Sequence, residues 1–179
     1  TPGCSLVYPT VVHDFFMLCG DGAPLFVSLN DAGELQSQTK GDVFIDIDND
    51  PLSEKASKIA DTWYFVSFKG DVQPVTGKGK VGEKWSLTSK QERGQNWRPA
   101  GWHWTAGHPD GRLWIGMTPK GYDGSHKDPS EEVWLFDVST HKRLKRIPLE
   151  TTGLSIDVTL DDEPQLLVLN TAGTLDVYN

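Results

Sequence analysis

Three acidic residues at alternate positions, Asp46, Asp48 and Asp50, open this chain's short catalogue of possible chemistry, because that spacing begins a calcium-binding loop. The loop fails at two positions. Pro51 stands where the turn needs Gly, and Ser57 stands where a bidentate Glu closes the coordination sphere. The segment is therefore read as a solvated acidic loop. Gly77-Lys78-Gly79-Lys80-Val81-Gly82 sketches a phosphate cradle, but it lacks Gly-Lys-Ser/Thr and a strand-to-helix context, so it too is read as a loop. The five histidines, His13, His103, His108, His126 and His141, fall at no metal-ligand spacing. No Gly-x-Ser-x-Gly elbow occurs, and the pairs Glu131-Glu132 and Asp161-Asp162 belong to strand starts and turns. Read for chemistry alone, the chain offers no catalytic, cofactor-binding or metal-binding residue.

The elements are more informative. Four of the seven tryptophans, Trp97, Trp102, Trp104 and Trp114, lie within one stretch. From Gly101 onward the residues alternate, which places Trp102 and Trp104 on one strand face and His103 and Thr105 on the other. His108-Pro109-Asp110-Gly111 is a turn, since Pro fixes φ and Gly tolerates positive φ. Residues 112–117 read as the returning strand. Trp97, Arg98, Trp102 and Trp104 are thereby assigned a structural role: the two later tryptophans pack between sheets, and Arg98, extended ahead of Pro99, offers its guanidinium to a carboxylate or to carbonyls.

The same hairpin layout returns along the chain. Strands are expected at 15–19, 25–29 and 34–38, at 62–68, at 132–138 and 143–148, and again at 154–160, 165–170 and 174–178. Polar stretches at 41–58 and 118–130 interrupt them, with one or two helical turns expected over 51–60 behind Ser53 as N-cap. Units of about four short strands, repeating at roughly 40–50 residues, are the mark of propeller blades. The fold class is all-β: three to four four-stranded blades within a single partial propeller domain over residues 1–179. Too few blades to close a ring leave unpaired edges, so the segment is expected to belong to a larger propeller and not to melt cooperatively as a monomer.

Composition agrees with many tight turns: 18 Gly and 11 Pro in 179 residues, with net charge −8. Lys and Arg are scattered, which gives nucleic acid no electrostatic purchase. No apolar run is long enough to span a membrane. The two cysteines flank a turn region at 9–14; pairing about Val11–Val12 sets Cys4 opposite Cys19, within disulfide reach. The alternative is two buried free thiols. A disulfide places the chain in an oxidising compartment, periplasmic or secreted.

Several motifs in order carry a resemblance. Asn96-Trp97-Arg98-Pro99-Ala100-Gly101-Trp102 resembles the Trp-Arg-Pro-Gly-Gly-Trp segment of quinoprotein amine dehydrogenase heavy subunits. Cys4, Tyr8-Pro9-Thr10, Phe15-Phe16-Met17 and Cys19-x-Asp21-Gly22 resemble the opening run of the methylamine dehydrogenase heavy subunit. Ser155-Ile156-Asp157-Val158, followed by Asp161-Asp162-Glu163-Pro164 and Leu166-Leu167, is similar as well. Within the family the chain most resembles the aromatic amine dehydrogenase heavy subunit; it departs from the methylamine enzyme at Trp102-His103-Trp104, where Trp-Gln-Gln is expected, and in the Gly77–Glu92 loop.

The resemblance implies a seven-bladed propeller in a periplasmic α2β2 heterotetramer with a second heavy subunit. It implies a light subunit carrying both tryptophan tryptophylquinone and the catalytic Asp. Primary amine would be oxidised to aldehyde and ammonia, with electrons leaving singly to an azurin-like blue-copper protein. None of those catalytic residues maps onto this chain, whose implied part is to seat and orient the light subunit. The competing readings are a non-enzymatic propeller serving as a protein-binding platform, or the heavy subunit of a methylamine-type dehydrogenase.

Overall fold

Short runs of alternating apolar residues, each closed by an Asx- or Gly-led turn, fold the chain into successive antiparallel units. The computed structural model describes residues 3–76 and 80–179, so Gly77, Lys78 and Gly79 of the glycine-lysine stretch lie outside the described residues. The first unit runs in order through β1 (Cys4–Pro9), β2 (Asp14–Cys19), β3 (Pro24–Leu29) and β4 (Leu35–Lys40). Cys4 pairs with Cys19 in register, and their sulfurs are bonded at 2.07 Å. The second unit comprises β5 (Ser57–Ile59), β6 (Thr62–Val66) and β7 (Asp71–Thr76). Its outer edge is made by β8 (Lys80–Val81) and β9 (Trp85–Ser86), both paired with β7.

A five-residue helix, α1 (Lys90–Gly94), leads to β10 (Arg98–Pro99) and the third unit. There β11 (Thr105–Gly107), β12 (Arg112–Thr118) and β13 (Ser130–Asp137) precede β14 (Lys142–Val158). This last strand serves two units. Lys142 to Pro148 pair with β13, whereas Ser155 to Val158 pair with β15 (Leu166–Asn170), which in turn pairs with β16 (Leu175–Tyr178). Separate strands were expected at 143–148 and 154–160. The crossing at Gly153 joins them because the backbone passes so close to its neighbours that a Cβ there would stand 2.8 Å from Val168 Cγ1 and 2.9 Å from Ser130 Oγ.

The sheets pack face to face, and the two-residue period of each strand feeds two cores at once. On β12 and β13, Leu113, Ile115, Met117, Trp134 and Phe136 pack toward Ile59, Val66 and Val72 of the second unit. Between them, Trp114, Val133 and Leu135 pack toward Ile156, Val158, Leu166 and Val168 of the fourth. Tyr8 and Phe16 of the first unit meet Phe65 and Val75 of the second, with the Tyr8 and Phe65 rings 4.9 Å apart. Each such side chain, fully buried, contributes about 1.5–3 kcal/mol relative to exposure. The described residues form three hydrogen-bonded sheets of four, five and seven strands, the seven-stranded one holding the third and fourth units joined through β14, and these four stacked units are propeller blades.

The helical turns expected over 51–60 do not form. Leu52 bridges Ser67, the Ser53 hydroxyl accepts from Lys55 N instead of starting a helix, and β5 follows directly. The helix lies instead behind Ser89, whose hydroxyl accepts from Glu92 N while the Glu92 carboxylate accepts from Ser89 N. This reciprocal capping box was written in Ser89-Lys90-Gln91-Glu92.

Candidate interaction site between the second and third blades

In an antiparallel blade, the residues leading into the inner strand and the turn joining the second and third strands lie at the same end. On that face the second blade presents residues 51–56 and the 67–70 turn, and the third presents residues 100–104 and the 119–129 loop. The loop is pinned by Gly121 N donating to Asn96 O at 2.7 Å, by Arg98 Nη1 on Asp123 Oδ1 at 2.8 Å, and by a 3-10 turn at Ser125–Lys127. These ties set the His126 ring flat on Phe68, with centroids 3.8 Å apart and 10° between planes. Trp104 meets both rings edge-on, at 5.9 Å from Phe68 and 6.0 Å from His126.

The stack divides a cleft in two. One side, of about 160 Å³, lies among Ser53, Glu54, Lys55, Trp102, Trp104 and Lys127. The other, of about 220 Å³, lies among Asp48, Asn49, Arg98, Tyr122 and Asp123. Lys55 bridges the blades, its Nζ donating to Trp102 O while its own carbonyl accepts from Thr105 Oγ1 at 2.8 Å. Burial, reinforced by the neighbouring Lys127 charge, pushes the His126 pKa below its ordinary 6.5, so the ring is neutral at neutral pH. The Asp123 carboxyl is held below the ordinary carboxylate range by its hydrogen bond from Arg98. Two ring nitrogens, Trp104 Nε1 and His126 Nδ1, are buried without a hydrogen-bond partner among the described residues. Aromatic faces and an N–H donor suit recognition of a group that accepts hydrogen bonds.

Trp102 does not pack beside Trp104, contrary to the alternation inferred from the sequence. β11 begins only at Thr105, and upstream of it Gly101 turns through φ 121°. Trp102 N then donates to Leu154 O, and His103 forms a parallel bridge to Ser155. The alternation is therefore broken, leaving Trp104 3% exposed and Trp102 56% exposed. Trp97 is buried against Trp134, with ring centroids 5.1 Å apart, under the Arg146 guanidinium. Arg98 reaches a carboxylate, that of Asp123. The cleft residues His126, Phe68 and Lys55 were not singled out from the sequence as a site. They come from three separate loops, and no spacing links them.

Among the described residues no three His, Cys, Asp or Glu side chains form a metal-binding group. Among the same residues no helix is long and apolar enough to cross a membrane.

Known proteins locate this architecture. Solved structures with similar folds include the Neurospora crassa Pan2 WD40 domain, at TM-score 0.61 and 12% identity over 97% of this chain and 48% of that one. Another is the Myceliophteria thermophila Cps50 (Swd1) β-propeller domain, at TM-score 0.63 and 6% identity over 97% of this chain and 52% of that one. These likenesses show the propeller fold alone. In sequence, the chain is 28% identical to the methylamine dehydrogenase heavy chain of Methylophilus methylotrophus, over 99% of this chain and 46% of the relative. It is also 28% identical to that of Methylorubrum extorquens, over 95% of this chain and 42% of the relative. The chain thus spans less than half the length of these relatives. The family model described as methylamine dehydrogenase heavy chain matches residues 1–179 throughout, and the chain belongs to that family.

Proposed function

We propose that this chain is part of the heavy subunit of a tryptophan-tryptophylquinone amine dehydrogenase, acting as the scaffold that seats a quinone-bearing light subunit. The observation that carries the reading is the family match over the whole chain. When bound, the light subunit's quinone would supply the two-electron oxidation of a primary amine, with water, to aldehyde and ammonia. This chain's residues supply the frame. Trp97 and Trp134, tilted 40° to each other, are packed under Arg146 as part of that frame.

The wider assembly follows from the same reading: an α2β2 heterotetramer in the periplasm, passing electrons singly to an azurin-like blue-copper protein. The Cys4–Cys19 bond supports an oxidising compartment. We assign aromatic primary amines as substrates, on the resemblance to the aromatic amine dehydrogenase heavy subunit and on Trp102-His103-Trp104, where Trp-Gln-Gln is expected in the methylamine enzyme. The test is to purify the full-length heavy subunit from its native source and record the visible spectrum of whatever co-elutes. A small chain with a quinone band, bleached faster by an aralkylamine than by methylamine, is the expected result. Bleaching by methylamine first would transfer the chain to the methylamine class. Absence of any quinone-bearing partner would favour the binding-platform reading.

A further inference from the structure

We propose that the cleft between the second and third blades is a socket into which the light subunit inserts one carboxylate side chain, with Trp102 as the rim anchor. The proposal rests on the heavy-subunit reading above and adds to it a location and a chemistry.

Polar satisfaction comes first. A buried indole N–H left without an acceptor is destabilising. Trp104, 3% exposed, lines the smaller side of the cleft, and its Nε1 has no partner among the described residues. The neighbouring His126 ring, which lines both sides, carries a second such nitrogen. An indole N–H can only donate, so a group that completes this site is an acceptor, and because Nε1 is sealed from solvent in this structure the ring must shift slightly to meet it.

Charge narrows the choice. Lys55 and Lys127 line the same side against one carboxylate, Glu54, so the rim carries a net positive charge. The Lys55 ammonium uses one donor on Trp102 O, which leaves two. A carboxylate is the acceptor such a rim favours, and about 160 Å³ is room for one side chain.

The surroundings identify a protein as its bearer. Trp102 and Tyr122, which line the two sides of the cleft, are both strongly exposed large aromatic residues. A solvated loop gains nothing from an exposed tryptophan, whereas a protein interface is centred on such aromatic anchors, ringed by polar groups. A free carboxylate in the cleft would leave both side chains in water.

The test titrates full-length heavy subunit with purified light subunit by calorimetry. Trp102→Ala, which removes an exposed side chain, and Lys127→Glu, which reverses the rim charge, should each weaken association at least about tenfold with the melting temperature of the heavy subunit unchanged. Trp104→Phe, which keeps a ring and deletes the N–H, should weaken it as well. Wild-type affinity in both Trp102→Ala and Lys127→Glu overturns the socket while leaving the heavy-subunit reading intact. Failure of the wild-type subunit itself to bind any light subunit overturns both. Acetate that perturbs the tryptophan fluorescence of wild-type protein but not of Trp104→Phe, with light-subunit affinity unchanged in all variants, would mark a small-molecule site and also overturn the proposal.

Discussion

Arg146 and Glu132 form a two-pronged ion pair across neighbouring strands, with Nε 2.6 Å from Oε2 and Nη2 2.8 Å from Oε1. The same Oε2 accepts from Trp134 Nε1 at 2.6 Å, and the guanidinium lies over Trp97 at 4.7 Å and Trp134 at 4.8 Å. Burial raises the Glu132 pKa, but the hydrogen bonds from Arg146 and Trp134 outweigh it and hold the carboxyl below its ordinary value. Arg146 also approaches Glu92 of α1 at 3.6 Å, which ties the capped helix to the third blade.

Glu132→Gln keeps the shape of this network and removes its charge. Hydrogen bonds to charged groups contribute about 1.5–3 kcal/mol, and the partial exposure of Arg146 reduces that to about 1–2 kcal/mol. A lower urea midpoint at unchanged slope is the expected outcome. An unchanged midpoint would show the pair to be decorative.

Trp104 and Trp102, two residues apart, should respond in opposite ways. Trp104→Ala empties a site in the core between the second and third blades and should cost about 3–5 kcal/mol. Trp102→Ala touches an exposed side chain and should change stability by no more than about 0.5 kcal/mol. Melting curves of the two variants decide this directly.

That contrast marks the boundary of what could be read from the sequence. The Cys4–Cys19 register and the 108–111 turn were legible because both depend on local geometry: the turn closes with His108 N on Arg112 O at 2.9 Å, and Gly111 takes φ 96°. The position of Trp102 was not legible, because alternation holds only inside a strand. What ends β11 upstream is pairing with Leu154 and Ser155, far along the chain. The Phe68–His126 stack depends on two loops that meet only after both blades have folded. The helix was signalled by its capping box, yet at five residues it shows no apolar period to find.

The disulfide closes a separation of 15 residues, which in the chain-entropy view is worth about 3 kcal/mol. Native protein labelled under denaturing conditions should show no free thiol, and prior reduction should lower the melting temperature. Two labelled thiols in unreduced protein would contradict the bond.

Asp110 sets an acid limit. Burial opposes ionisation, but hydrogen bonds from Arg112 and His108 prevail and lower its pKa from 3.8 to about 2. A depressed carboxyl stabilises the fold fully above 3.8 and loses that contribution as pH falls toward 2. Denaturant midpoints should therefore fall over this window, and Asp110→Asn should flatten that part of the profile. A variant profile parallel to wild type would assign the acid sensitivity elsewhere.

The central claim is that this chain positions the chemistry and does not perform it. His103 is the sharpest probe, since it is exposed directly after the motif that carries the family resemblance and has no part in the cleft. The measurement is the single-turnover rate of quinone reduction by amine in the assembled complex bearing His103→Ala. The account predicts a rate within about twofold of wild type. A loss of a hundredfold or more, about 2.7 kcal/mol of barrier, with assembly intact, would show that the propeller itself supplies a catalytic group.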